Sequence, residues 1–188
     1  MTQNSKKKDS VSYVLTKSEV NQYHENGFLI LNNAIDMSLL ENLNKDLESW
    51  LFEDADYNQS FRSQLDGRPR FSFEIGGGHK SSSLRRVASP VELSDSYLKL
   101  MRDGKAVDAL CQLIGPNIKF NNSKVNSKGP YGNTKVEFHQ DFMFEPHSND
   151  DLITVLYFLT EVTSQNGSLM VVPGSHRGPL YDHWHDGI

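Results

Sequence analysis

Residues 152–159, Leu-Ile-Thr-Val-Leu-Tyr-Phe-Leu, constrain the fold more than any other stretch of this chain. Successive side chains of a β-strand point to opposite faces, so a run that is apolar on both faces belongs inside a sandwich or barrel. Three further segments, 118–126, 134–140 and 168–172, also read as strands. The earlier part of the chain reads as helix. Thr16 and Glu19 have capping-box spacing and open a short helix through Tyr23 that Gly27 stops. Residues 28–31 form a short apolar run with the look of a strand. Asp36 or Ser38 caps a second helix, in which Leu39, Leu40, Leu43, Leu47, Trp50 and Leu51 recur at helical intervals to an end near Asp54. Two more helices are predicted over 94–102 and 105–114, closed by Gly115-Pro116. Helices first and strands afterwards predict an α+β fold rather than alternating βαβ units. Between them, residues 55–90 show no sustained period and are expected to be a long irregular excursion.

The chain has 188 residues, room for one domain with a real core. We expect a disordered tail over 1–12 and a single domain over 13–188. Residues 1–10 are polar, carry Lys6-Lys7-Lys8 and have no apolar segment of a secretory signal. No apolar run is long enough to span a membrane. The formal net charge of −5 argues against a general nucleic-acid binder. The single cysteine, Cys111, cannot form an internal disulfide, which fits the cytoplasm or another reducing compartment.

His139-Gln140-Asp141 carries the chemistry. On an extended backbone His139 and Asp141 project together while Gln140 points away. Imidazole and carboxylate with one further His make the facial triad of non-haem Fe(II) oxygenases, which keeps positions open for substrate and O₂. Residues 135–138 lead in as strand, so the pair is expected at a strand's end.

From Phe138 the chain reads Phe-His-Gln-Asp-Phe-Met-Phe-Glu-Pro-His, and from Asn166 it reads Asn-Gly-Ser-Leu-Met-Val-Val-Pro-Gly-Ser-His. Together with Leu84-Arg85-Arg86 and Leu113-Ile114-Gly115-Pro116, these segments resemble the phytanoyl-CoA dioxygenase family of Fe(II)- and 2-oxoglutarate-dependent oxygenases. The resemblance covers nearly the whole chain. It implies N-terminal helices packed on a double-stranded β-helix (jelly-roll) core, here 116–188, with His139 and Asp141 as iron ligands. It also implies 2-oxoglutarate as cosubstrate, O₂ as oxidant, and hydroxylation of a small or lipid-like substrate. Lys128, followed by Gly129-Pro130, is the candidate 2-oxoglutarate contact, with Lys124 a weaker one; a solvated strand-end Lys is the plain alternative.

The resemblance further implies a second His from a later strand. His147, His176, His183 and His185 lie downstream of Asp141, and each reads as a loop or surface histidine. The barrel is therefore expected to be unfinished at Ile188, with the third ligand outside the chain. On that expectation the chain binds Fe(II) weakly and exposes an unpaired strand edge. The competing reading is a non-catalytic β-module that binds metal or ligand without turnover.

Weaker signals remain. Between Arg62 and Arg86 lie six basic residues (Arg62, Arg68, Arg70, Lys80, Arg85, Arg86) against Asp66 and Glu74. They suggest either contact with an anionic substrate or a solvated loop. The Gly76-Gly77-Gly78-His79-Lys80-Ser81 stretch lacks phosphate-loop spacing. Phe142, Phe144 and Tyr157 are candidates for a pocket wall or for plain core.

Overall fold

A computed structural model of the protein describes residues 14–52, 64–75, 82–128 and 136–183. The tail over 1–12, Arg62, the Gly76–Ser81 stretch with Lys80, Gly129-Pro130 and His185 lie outside the described residues. The architecture combines helices with a small antiparallel sheet. No helix among the described residues is long and apolar enough to cross a membrane.

Helix α1 spans Lys17–Asn26. Its start is the expected capping box: Thr16 Oγ1 accepts the Glu19 amide, and Glu19 Oε2 accepts the Thr16 amide at 2.7 Å. Gly27 closes it in the left-handed region at φ +82°, donating its amide to Tyr23 O. Helix α2, Met37–Phe52, presents Leu43 and Trp50 inward, with Leu39 and Leu47 half-buried beside them. Full burial of one such leucine stabilises by about 1.5–3 kcal/mol.

The segment expected to be irregular is where the sheet begins. Strands β1 (Gln64–Leu65) and β2 (Arg68–Pro69) make a tight hairpin across Asp66-Gly67, both at positive φ. Strands β3 (Phe71–Ile75) and β4 (Ser82–Ala88) pair antiparallel, and β5 (Lys124–Asn126) adds to the other edge of β4. The physical reason that periodicity misses β4 is a bulge. Ser72 pairs with Arg86 and Phe73 with Leu84, so Arg85 is an extra residue. The shift turns both Leu84 and Val87, three residues apart, into the core at 2% and 0% exposure.

A 3-10 turn (Pro90–Glu92) leads to helix α3, Asp95–Arg102, and helix α4, Lys105–Ile114, close to the predicted spans. Ser94 caps α3 by accepting the Ser96 and Tyr97 amides, and its hydroxyl donates to Asp46 Oδ2 at 2.5 Å, tying α3 to α2. Trp50, Phe71 and Tyr97 form the aromatic centre of the core, with Trp50 5.2 Å from Tyr97 and 6.3 Å from Phe71 between ring centroids. Burial, with the nearby Asp46 charge, pushes the Tyr97 hydroxyl well above the usual phenol range.

Arg70 is buried at 1% exposure beneath this sheet. Its guanidinium donates to Ala88 O, Ser89 O and Glu92 Oε2, the last at 2.8 Å. Burial removes Arg70 from both expectations, contact with an anionic substrate and a solvated loop; Arg68, Arg85 and Arg86 are exposed. The Arg70 hydrogen bond holds the Glu92 carboxyl below the usual carboxylate range. A depressed folded-state pKa stabilises the fold above the unfolded value near 4.5 and is lost as pH falls through the folded value. Stability measured by urea denaturation is therefore expected to decline below about pH 4.5, and Glu92→Gln to flatten part of that decline. An unchanged slope in the variant would remove Glu92 from the account.

The remaining strand predictions hold only in part. Residues 28–31, 136–140, 152–160 and 168–172 make no ladder among the described residues, and of 118–126 only β5 does. The 152–159 run alternates only in part, with Ile153, Tyr157 and Leu159 half-buried but Val155 exposed, and it is not buried on both faces. Tyr157 and Leu159 pack on the core and Leu159 O accepts Asn44 Nδ2 at 3.1 Å, whereas Leu156 and Phe158 are each 52% exposed. No layer among the described residues covers that outer face. Val136, Phe138, Phe144, Leu169, Met170 and Val172 are exposed as well. Apolar surface on this scale is built to be covered.

Candidate metal centre

His139 and Asp141 come together as the spacing predicts, but on different local structure. Gln140 is extended, at φ −106° and ψ 130°, which sends its two neighbours to one side. Asp141 then opens a 3-10 turn, Asp141–Met143, whose carbonyl collects the Phe144 and Glu145 amides at 2.9 Å each. The pair thus sits where an extended segment enters a turn, not at the end of a paired strand.

Two contacts orient the imidazole. Its Nδ1 lies 2.8 Å from Glu137 O. A carbonyl only accepts, so the neutral ring carries its proton on Nδ1 and keeps the Nε2 lone pair free. Nε2 is 3.3 Å from Asp141 Oδ1. Phe144 packs edge-on against the ring, 5.6 Å between centroids. The side chains are 37% and 59% exposed, so both donors face open space. Phe144 is thereby a wall of the site, Phe142 packs edge-on against His147 instead, and Tyr157 is half-buried against the core, where burial raises its phenol pKa.

Each described downstream histidine has another place. His147 Nδ1 leans on Glu145 O at 2.8 Å, in a shallow cleft with Lys119 and Phe120. His176 belongs to a 3-10 turn, Ser175–Arg177, that docks on the end of α1. There His176 Nε2 and the Arg177 guanidinium both donate to His24 O, and the Gly174 amide donates to Asn26 O at 2.8 Å. Cationic and donor groups are favourable at a helix C-terminus. The Pro-Gly-Ser-His segment is therefore a long-range cap. Among the described residues no group of three or more His, Cys, Asp or Glu side chains is placed to hold a metal ion.

Lys128 donates its ammonium to Gly167 O at 3.1 Å. Gly167 follows an Asn whose side chain accepts the Thr163 amide and donates to Glu161 O, a turn that requires φ +85° at the glycine. The Lys128 candidate and the Asn-Gly motif thus meet, while Lys128 is not bonded to His139 or Asp141.

Sequence reasoning missed the segment facing Gln140. Tyr181 and Pro179 bond its carboxamide, and His183 accepts its backbone N–H. Only the position of Gln140 between two candidate ligands hinted at it.

The sequence is similar to those of known proteins. A hypophosphite dioxygenase of Stutzerimonas stutzeri, described as probable and alpha-ketoglutarate-dependent, is 43% identical over 113 residues, which cover 60% of this chain and 39% of that protein. An ectoine dioxygenase of Streptomyces avermitilis is 26% identical across 87% of this chain and 52% of its own. The human peroxisomal phytanoyl-CoA dioxygenase is 26% identical across 93% of this chain and 53% of its own. The chain spans about half the length of these relatives or less. The phytanoyl-CoA dioxygenase family model matches residues 23–187, from helix α1 through the His139–Asp141 pair to the segment beyond it, and the chain belongs to that family.

Proposed function

We propose that this chain carries the iron-binding pair of an Fe(II)- and 2-oxoglutarate-dependent dioxygenase acting on a small molecule. The observation that carries the reading is His139 Nε2 set 3.3 Å from Asp141 Oδ1, with Nδ1 committed to Glu137 O. The donor set fits the ion. An imidazole nitrogen and a carboxylate oxygen 3.3 Å apart and open to solvent are donors that suit Fe(II). His139 and Asp141 would hold the ion, which when bound would supply O₂ activation coupled to 2-oxoglutarate decarboxylation. The protein's own residues do the rest. Glu137 O fixes the ring, Phe144 shields one side of it, and Lys128 offers its remaining N–H donors to a carboxylate of 2-oxoglutarate.

In this reading residues 13–188 form one domain, and 116–188 contribute part of a jelly-roll core whose interior is bordered by exposed apolar side chains between 136 and 172. The third ligand comes from outside the described residues. The substrate class follows the named relatives, whose substrates are as different as hypophosphite, ectoine and phytanoyl-CoA. One observation favours the alternative of a binding module without turnover, namely that only two donors converge among the described residues.

Anaerobic Fe(II) titration tests the reading. His139→Ala is expected to weaken binding by more than about 100-fold, beyond what loss of an outer-shell partner costs. Equal affinity in the variant would end the proposal. Succinate released from 2-oxoglutarate over many turnovers, and lost in the same variant, separates the oxygenase from the binding module.

A further inference from the structure

We infer that Gln140 is a positioning residue, the point at which residues 179–183 lock the orientation of the His139–Asp141 pair. The inference rests on the metal reading above and goes beyond it. Alternation that turns His139 and Asp141 toward the metal turns the Gln140 carboxamide the opposite way. There its Oε1 accepts the Tyr181 amide at 2.8 Å, and its Nε2 donates to Pro179 O at 3.0 Å. Its backbone N–H donates to His183 Nε2, also at 2.8 Å.

The three bonds act on one residue from partners about forty positions later in the chain. The Gln140 N–H belongs to the peptide plane joining it to His139, so fixing that plane fixes the backbone from which the imidazole projects. The clamped side chain fixes the next plane, from which Asp141 projects. Glu137 O sets only the ring's rotation; the separation of the two ligands is left to the backbone at Gln140. His183 makes its hydrogen bond among the described residues here and nowhere else, and its Nδ1 is buried without a partner. A polar ring tolerated in that state is retained for the bond it makes.

Outer-shell groups that orient a metal ligand change affinity by about 10–100-fold when removed. The test uses the full chain under anaerobic conditions, with Fe(II) affinity, the visible spectrum of the Co(II) form and thermal melting read together. Gln140→Ala and His183→Ala are expected to bind about tenfold more weakly and to shift the Co(II) bands, with melting close to the parent. His183→Gln is expected to recover both, because a carboxamide oxygen also accepts the Gln140 N–H. If Gln140→Ala fails to fold, the His183 pair of variants carries the test alone.

Parent-like affinity and spectrum in His183→Ala, while His139→Ala loses the metal, would overturn the inference and leave the metal reading standing. Failure of His183→Gln to recover would also overturn it, by reducing the contact to packing. Absence of any His139-dependent binding in the parent would overturn both.

Discussion

Arg70→Met is expected to destabilise the fold by about 3 kcal/mol, the cost of breaking a buried, multiply bonded cation site. Urea denaturation followed by far-ultraviolet circular dichroism measures it. The loss is not chiefly that of the ion pair, since the Glu92 side chain is 44% exposed and its attraction to Arg70 is screened by solvent. It comes from the two backbone carbonyls, Ala88 O and Ser89 O, that the guanidinium satisfies at the point where β4 ends. Ser89 sits at φ +50°, outside the range comfortable for a side-chain-bearing residue, and Arg70 holds the chain in that turn. Lysine preserves the charge but cannot span three acceptors with one compact ammonium, so Arg70→Lys should recover less than half of the loss. A loss under about 1 kcal/mol in Arg70→Met would mean that water replaces the guanidinium, and that the site is less closed than its 1% exposure indicates.

Arg70 also marks the limit of what was legible in the sequence. Counting charge groups it with Arg68, Arg85 and Arg86, because nothing local says that the residue entering β3 will meet the carbonyls at the far end of β4. The helices were legible because their determinants are local: a capping box at Thr16 and Glu19, Ser94 before α3, glycine after α1. Strand β4 was not, since the bulge at Arg85 breaks the period of two that identifies a strand. The metal pair was legible for the same reason as the helices. One extended residue between His139 and Asp141 suffices to bring them together, whether or not the segment pairs into a sheet. The Gln140 clamp and the docking of His176 on α1 depend on partners at separations of 39–43 and 152 residues, and no pattern in a single sequence reports such contacts.

That second long-range contact gives the other large effect. Gly27→Ala is expected to cost about 2–4 kcal/mol by the same denaturation measurement. Part is conformational: Gly27 ends α1 at φ +82°, where an added Cβ costs about 1–2 kcal/mol. The rest is steric, because a Cβ there would overlap the His176 ring, and either the ring or the whole turn over Ser175–Arg177 must withdraw. Withdrawal forfeits the bonds from His176 and Arg177 to His24 O and from Gly174 to Asn26 O, handing the last α1 carbonyls to water. The two parts separate in a double-mutant cycle. In a His176→Ala background Gly27→Ala should cost only the conformational part, a coupling of about 1–2 kcal/mol. Equal cost in both backgrounds would show that the turn accommodates the methyl group without moving. Because residues 179–183 follow directly on that turn and hold Gln140, displacement at Gly27 should also weaken Fe(II) binding at His139 and Asp141. His176→Ala alone, with Arg177 still bonded to His24 O, should weaken it less.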